Sequence, residues 1–300
     1  MNWSTKFAIL LLLLVVIGGE LSKPPAGRRL EPVPPMAEAP KKRVVPPEAY
    51  RKIPSPGGGS MRRPDPVSPL IVIEAEAKKK NAVFSGTAFS IRDDGYWITA
   101  HHVIDGCGKL LLLVNDRQGV EATVVASHSR ADVSLLLTGF GAGALKVSRE
   151  EPVMGQEGFH FGFPQGRPGN VYSSLIGEST MVTKGTRHGR EPVLVWADKA
   201  RSPFFDGTLG GLSGGPSLNA RAQVAGVMVA ESARRGRSYS SEPSVVFELL
   251  DKEGVIQRDT ESKQIAEIRG ELSVDRFARA GNQLRKSLSV AKVVCQVGNN

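Results

Sequence analysis

The feature that most constrains the fold is a series of short apolar or alternating runs, separated by Gly, Asn, Asp and Pro, that starts after residue 70. The runs are Val83 to Ile91, Tyr96 to Ala100, Leu110 to Val114, Ala122 to Ala126, Val133 to Leu137, Val193 to Ala197 and Val224 to Val229. Many short strands at close spacing with turn signals between them are typical of a β-sandwich or β-barrel. The sequence therefore predicts an all-β domain.

Helical periodicity is confined to the last quarter of the chain. Val245 to Leu250 is the first segment with this period, and apolar residues recur at helical spacing between Glu261 and Leu288. We expect one or two helices there, interrupted at Gly270 or Gly281. A folded domain over residues 70–254 and a C-terminal helical extension over 255–300 are therefore predicted.

The segment before the β runs is rich in proline. Thirteen of the twenty prolines lie between Pro24 and Pro69. Such a segment favours extended polyproline II and buries too little apolar area to offset the entropy of ordering. We assign no secondary structure to it and interpret residues 23–69 as a disordered linker.

The N-terminus carries an apolar run of thirteen residues, Phe7 to Gly19, directly after Lys6. A membrane-spanning helix needs about 20 residues. A positive residue before a shorter apolar run is typical of a secretory signal. Residues 1–22 are predicted to be a signal peptide or an N-terminal membrane anchor, with residues 7–19 associating with the membrane in the second case. Either alternative places the domain outside the cytoplasm, in the periplasm or secreted.

The net charge of +9 belongs mainly to the linker. Residues 23–63 hold ten Lys and Arg against three Glu, whereas residues 64–254 are close to neutral. No basic patch interleaved with aromatic residues appears, so a nucleic-acid partner is not expected.

The most informative segment for chemistry is Gly211-Leu212-Ser213-Gly214-Gly215-Pro216, where one serine stands among residues that permit unusual backbone geometry. A serine hydroxyl needs a neighbouring base and backbone N–H donors for the developing oxyanion. A glycine at 211 allows its own N–H and that of Ser213 to form this oxyanion hole. The segment predicts an exposed nucleophile, with an ordinary turn as the alternative.

Candidate partners for Ser213 lie upstream. The apolar run from Tyr96 ends in His101 and His102, and Asp132 stands at the start of the run from Val133. A carboxylate at a strand end is well placed to orient an imidazole in Ser-His-Asp catalysis.

The order histidine, aspartate, serine resembles that of the trypsin-like serine peptidases of the chymotrypsin fold, and more closely their bacterial HtrA-like branch. The resemblance covers about residues 80–254. It rests on Ser85 to Phe89, Ile98 to Ile104, Ala131 to Leu136, Gly162 to Gly166, Gly211 to Pro216, Ser241 to Pro243 and Val245 to Leu250. It implies two six-stranded antiparallel β-barrels followed by a C-terminal helix and tail.

The resemblance also implies residue roles. It selects His102 over His101 as the base, because the catalytic histidine directly precedes the apolar pair Val103-Ile104. With Asp132 and Ser213, this predicts a serine endopeptidase that acts on polypeptide substrates without a cofactor. The specificity pocket is expected at Gly207, Thr208 and Leu209 together with the strand Val224 to Val229, with no acidic residue at its floor.

One position departs from the family pattern. Leu212 stands where the family usually has Asp or Asn before the serine, which leaves a catalytically inactive, peptide-binding homologue as the alternative function. The PDZ domain that usually follows the HtrA-like protease domain does not fit into the 46 residues after Gly254.

The remaining histidines and the cysteines complete the prediction. His128, His160 and His188 lack acidic or cysteine partners at ligand spacing, so no metal site is expected. Cys107 and Cys295 are the two cysteines of a chain predicted to be exported, which favours a disulfide between them. The strand-like segment Val290 to Val297 is expected to dock as an edge strand and to bring Cys295 to the turn after His102.

Overall fold

The structure is a computed structural model that describes residues 30–34, 71–75, 78–185, 189–257, 266, 268 and 272–298. Residues 1–22 and most of the linker 23–69 lie outside these ranges, as do Gly270 and His188. Within the described residues, no helix has the length and apolar character required to cross a membrane.

The described residues form fourteen strands and three α-helices. The strands are β1 (Leu30–Pro32), β2 (Ile71–Ala75), β3 (Val83–Ser90), β4 (Tyr96–Thr99), β5 (Cys107–Leu113), β6 (Gln118–Ser127), β7 (Ser134–Thr138), β8 (Glu157–Gly162), β9 (Gly169–Gly185), β10 (Gly189–Ser202), β11 (Pro216–Leu218), β12 (Val224–Ser232), β13 (Arg237–Ser241) and β14 (Val290–Val297). The helices are α1 (His101–Ile104), α2 (Pro243–Lys252) and α3 (Phe277–Lys286).

The strands close into two antiparallel barrels of six strands each. The first has the order β6-β5-β14-β3-β4-β7 and closes through the pairing of β6 with β7. The second has the order β10-β13-β12-β11-β8-β9 and closes through the pairing of β9 with β10. Strand β1 is added to the outside of β6, and β2 pairs in parallel with β9. The predicted double barrel is confirmed.

The core strands of the first barrel are buried over consecutive residues. The inner half of β3 and nearly all of β4 are buried, with Phe89, Trp97 and Ile98 fully inaccessible to solvent. Phe159 and Phe161 of β8 join Phe89 and Ile98 in one core cluster that continues from the first barrel into the second. Each fully buried side chain of this size stabilises the fold by about 1.5–3 kcal/mol. This cluster therefore helps to hold the two barrels together.

Strand β14 is an interior strand, and its predicted edge position is wrong. It pairs antiparallel with β3 on one side and with β5 on the other. Six of its eight residues are buried, and its valines lie on both faces of the strand. Residues 255–300, predicted as a helical extension, thus contribute a strand to the first barrel.

The predicted disulfide between Cys107 and Cys295 is present, with a Cα–Cα distance of 5.4 Å. Cys107 begins β5, just after the turn that follows α1. Because β14 pairs with β5 at this point, the disulfide joins neighbouring strands of one barrel.

Two further local expectations differ from the structure. Helix α3 continues through Gly281, one of the two positions at which an interruption was expected; the other, Gly270, lies outside the described residues. A Cβ at this position would lie 2.0 Å from Asn170 Oδ1, so the glycine permits close packing of the helix on β9. In the segment assigned no secondary structure, Leu30–Pro32 forms β1 and pairs with Gln118–Val120.

Candidate active site

The predicted catalytic residues lie on three loops at the junction of the two barrels. His102 belongs to the single-turn helix α1 that follows β4, and Asp132 lies in the loop between β6 and β7. Ser213 lies between β10 and β11. The first barrel therefore supplies the imidazole and the carboxylate, and the second supplies the serine.

His102 and Asp132 form a close pair. Asp132 Oδ2 lies 2.5 Å from His102 Nδ1, and Asp132 Oδ1 accepts the backbone N–H of His102 at 2.9 Å. An ionised carboxylate only accepts hydrogen bonds, so the imidazole proton is on Nδ1 and the lone pair is on Nε2. This is the tautomer that a general base needs.

The electrostatic surroundings of His102 favour its protonated form. Packing around the ring lowers the pKa of His102, but the charge of Asp132 and its hydrogen bond outweigh this effect. The charge of Lys78 also lowers this pKa, whereas the charge of Glu191 raises it. The net result is a pKa of His102 above the usual value. The side chain nevertheless remains 46% exposed, so its Nε2 edge is accessible from the cleft.

The loop that carries Ser213 rests directly on the first barrel. Gly214 has φ +82°, and a Cβ there would lie 2.1 Å from the Thr87 carbonyl oxygen and 2.8 Å from the Ala100 nitrogen. Only glycine tolerates both the backbone angle and this approach. Since Ala100 immediately precedes the two histidines, the residue after Ser213 packs against the backbone that leads into α1.

Two backbone donors of the loop remain available. Among the described residues, none accepts a hydrogen bond from the N–H groups of Gly211 and Ser213. The same holds for the Ser213 hydroxyl, which makes no hydrogen bond to His102 within the described part of the chain. Catalytic hydrogen bonds are often long before substrate binds, so this geometry is compatible with a serine that pairs with His102 in the substrate complex.

Leu212 occupies an apolar cluster. Its side chain is 1% exposed and packs in a group with Val171, Leu209 and Met228. Where the related pattern has a polar residue, this loop is therefore anchored by burial of an aliphatic side chain, which is worth about 1.5–3 kcal/mol.

The predicted specificity pocket lies next to this cluster and has an acidic neighbour. Leu209 is 3% exposed and faces the cluster, whereas Gly207 and Thr208 are exposed. The carboxylate of Glu231 on β12 accepts hydrogen bonds from the Thr208 hydroxyl and from the Leu209 N–H. The sequence analysis expected no acidic residue here, although Glu231 comes two residues after the strand Val224 to Val229 that it assigned to the pocket.

Glu191 is a residue near the site that the sequence analysis missed. It lies on β10, is 4% exposed, and accepts the backbone N–H of Asp132 at 3.1 Å and the Ser241 hydroxyl at 3.1 Å. It therefore links the second barrel to the residue that orients His102. No local pattern could reveal it, since 59 residues separate it from Asp132.

His128 is a second such residue, for which the sequence analysis predicted only that it binds no metal. Its Nδ1 accepts the backbone N–H of Ala131 at 2.9 Å, and its Nε2 lies 3.1 Å from a carboxylate oxygen of Glu248 on α2. The imidazole therefore fixes the loop that presents Asp132.

The other described histidines have different partners. His101 Nδ1 lies 2.9 Å from the Ser127 hydroxyl, on the side of β6. His160 is fully buried, with its two ring nitrogens bonded to Ser217 and Ser173 at 2.8 and 2.6 Å. Burial lowers the pKa of His160 to about 3, so this ring is a neutral part of the interior. Within the described residues, no group of three or more His, Cys, Asp or Glu side chains could hold a metal ion.

Comparison with known proteins agrees with this architecture. Residues 86–227 match the family model of the trypsin-like peptidase domain. This part of the chain is therefore similar to a trypsin-like peptidase domain, and the match includes β3 from Gly86 onwards and the serine loop.

Its curated relatives include probable periplasmic serine endoproteases of the DegP-like type. The chain is 25% identical over 246 residues to that of Pseudomonas fulva, covering 79% of this chain and 44% of the relative. It is 25% identical over 154 residues to that of Ectopseudomonas mendocina, covering 50% and 30%. The chain thus spans less than half the length of either relative.

A solved structure supports the fold. The active form of the Rv3671c protease from M. tuberculosis superposes with a TM-score of 0.50 at 19% identity, covering 67% of this chain and 97% of that one.

Proposed function

We propose that the chain is a serine endopeptidase that hydrolyses peptide bonds through an acyl-enzyme intermediate. Ser213 is the nucleophile, His102 takes its proton and later donates it to the leaving amine, and Asp132 orients the imidazole. The observation that carries the proposal is the contact of Asp132 with both the ring and the backbone of His102, beside a serine loop with free N–H groups.

The free N–H groups of Gly211 and Ser213 form the oxyanion hole. In the tetrahedral intermediate, the substrate carbonyl oxygen gains negative charge and accepts both hydrogen bonds. Donors already fixed in place need no reorganisation during the reaction, and removing one oxyanion donor typically costs about 10²–10³ in kcat.

Labelling with a fluorophosphonate probe tests the proposal, because covalent capture requires an activated serine. We expect wild type to be labelled and Ser213→Ala to be unlabelled. Ser217→Ala is the matched control, since Ser217 also contacts a histidine but is fully buried. Absence of labelling in a folded wild type would instead favour the inactive peptide-binding homologue.

Hydrolysis of an unfolded protein substrate tests the assigned roles. His102→Ala and Asp132→Ala should each lower the rate by orders of magnitude and show little additivity with Ser213→Ala, because the three residues act as a unit. His101→Ala should retain most of the activity. The reverse outcome for the two histidines would refute the assignment of the base.

We also propose that the protein acts outside the cytoplasm. The named relatives are periplasmic proteins, the apolar run Phe7 to Gly19 is typical of an export signal, and a disulfide persists in oxidising compartments. Cell fractionation with non-reducing peptide mapping tests this. A cytosolic full-length protein with two free thiols would contradict it.

A further inference from the structure

Every carbonyl of the serine loop from Gly210 to Ser213 accepts a hydrogen bond. Gly210 O accepts from Gln165 N at 2.5 Å, and Leu212 O accepts from Gly215 N at 2.9 Å. The carbonyls of Gly211 and Ser213 both accept from a single residue outside the loop, as described next. Because a peptide unit is planar, fixing its C=O also fixes its N–H on the opposite side.

That outside residue is Thr87 on β3 of the first barrel, which is fully buried. Its backbone N–H donates to Ser213 O at 2.9 Å, and its hydroxyl donates to Gly211 O at 2.7 Å. The hydroxyl also accepts the Phe163 N–H at 3.1 Å, and the Thr87 carbonyl accepts the Thr99 hydroxyl at 2.7 Å. Thr87 is thus held on both sides and has no freedom to turn its hydroxyl away.

The hydroxyl matters because Gly211 has φ +96° and little intrinsic preference for one orientation. The peptide between Gly211 and Leu212 lies between the two units whose N–H groups form the oxyanion hole. Without a donor, the partly buried Gly211 carbonyl would lose its hydrogen bond, which costs up to about 1–3 kcal/mol and favours rotation of the loop. Leu212 also holds the loop, through its buried side chain and through its N–H, which donates to Leu209 O at 2.8 Å, but neither supplies a donor to the Gly211 carbonyl.

We propose that Thr87 is a positioning residue, whose hydroxyl holds the serine loop in the conformation in which the oxyanion hole is formed. The inference rests on the proposed endopeptidase function. It implies that the hole is assembled without any charged pair at the position before the serine.

The test compares Thr87→Val, which removes the hydroxyl and keeps the volume, with Thr87→Ser, which keeps the hydroxyl. Thr138→Val is the matched control, because the Thr138 hydroxyl donates to Phe140 O at 2.7 Å in the same barrel, on the strand β7. For each variant we would measure kcat and KM on a peptide substrate, together with the thermal unfolding midpoint.

Inhibition constants distinguish a role in positioning the oxyanion hole from a purely structural role of Thr87. A peptide aldehyde forms a hemiacetal with the catalytic serine, and the hemiacetal oxygen occupies the oxyanion hole. The matching peptide alcohol binds without forming a hemiacetal. For Thr87→Val we expect kcat to fall about 10- to 100-fold with KM within about threefold of wild type. The aldehyde should bind more weakly by the same factor, and the alcohol should bind as before.

Thr87→Ser should stay within about threefold of wild type in kcat, and Thr138→Val should lower only the unfolding midpoint. If Thr87→Val does not fold, Thr87→Ala takes its place. The inference is overturned if kcat is unchanged, if the aldehyde and the alcohol lose affinity together, or if neither variant folds. A folded but inactive wild type would overturn the proposed function as well, and this outcome is visible before any Thr87 variant is compared.

Discussion

Removing the disulfide should destabilise the fold by several kcal/mol. Cys107 and Cys295 are 188 residues apart in sequence. In the chain-entropy model, a cross-link over this distance removes enough freedom from the unfolded chain to stabilise the fold by about 5 kcal/mol at 25 °C. Measured effects are often smaller, so we expect a loss of about 3–5 kcal/mol for the double variant Cys107→Ala/Cys295→Ala.

Equilibrium unfolding in urea measures this loss. Reduced wild type is the control, because it opens the same cross-link without changing side-chain volume, and its free energy of unfolding should match that of the double variant within about 1 kcal/mol. A loss below about 1 kcal/mol in both samples would refute the reasoning, since it would mean that the cross-link does not restrict the unfolded chain.

Three further predictions concern a charge, a buried imidazole and a close contact. Glu191→Gln keeps the acceptor for the Asp132 backbone but removes a charge that raises the pKa of His102, so the acid limb of the pH profile of kcat/KM should move to lower pH; an unmoved limb contradicts this. Burial lowers the pKa of His160 to about 3 from 6.5, so its contribution to stability is complete above pH 6.5 and is lost as the pH falls towards 3. The free energy of unfolding, measured in urea, should fall by up to about 1.4 kcal/mol per pH unit between pH 6.5 and 3. In His160→Gln this free energy should fall less steeply with pH. Gly281→Ala should lower the unfolding temperature, because the added Cβ would lie 2.0 Å from an Asn170 oxygen. Such a clash typically costs about 1–3 kcal/mol, which exceeds the gain of about 1 kcal/mol in helix propensity. An unchanged or raised unfolding temperature would show that α3 moves to accommodate the methyl group.

The strands that the sequence predicts are those with a clear apolar pattern. Val83 to Ile91 and Val133 to Leu137 correspond to β3 and β7 within one residue at each end. Strand β13 was missed because three of its five residues are serines, and in the structure these serines are buried with their polar groups bonded. Strand β11 has only three residues, which is too short for any periodicity to appear.

The residues of the site can also be divided into those that the sequence predicts and those that it does not. The histidine, aspartate and serine motifs are each short and local, so these residues could be proposed from the chain alone. The groups that hold them are distant: Thr87 and Gly211 are 124 residues apart, and Asp132 and Glu191 are 59 apart. Such contacts depend on how one barrel docks on the other, and a buried threonine in an apolar strand gives no signal of a partner in a loop of the other barrel.

Strand β14 connects these distant parts. Lys292 lies opposite Thr87 in the pairing of β14 with β3, and Cys295 is bonded to Cys107, which follows the helix that carries His102. The first barrel closes only when this strand is inserted between β3 and β5. The strands that position His102 and the serine loop therefore depend on a segment about 200 residues after β3. Non-local pairings of this kind form slowly because loop closure must precede the contacts that reward it. We therefore expect the catalytic cleft to be completed late in folding, when β14 has been inserted between β3 and β5.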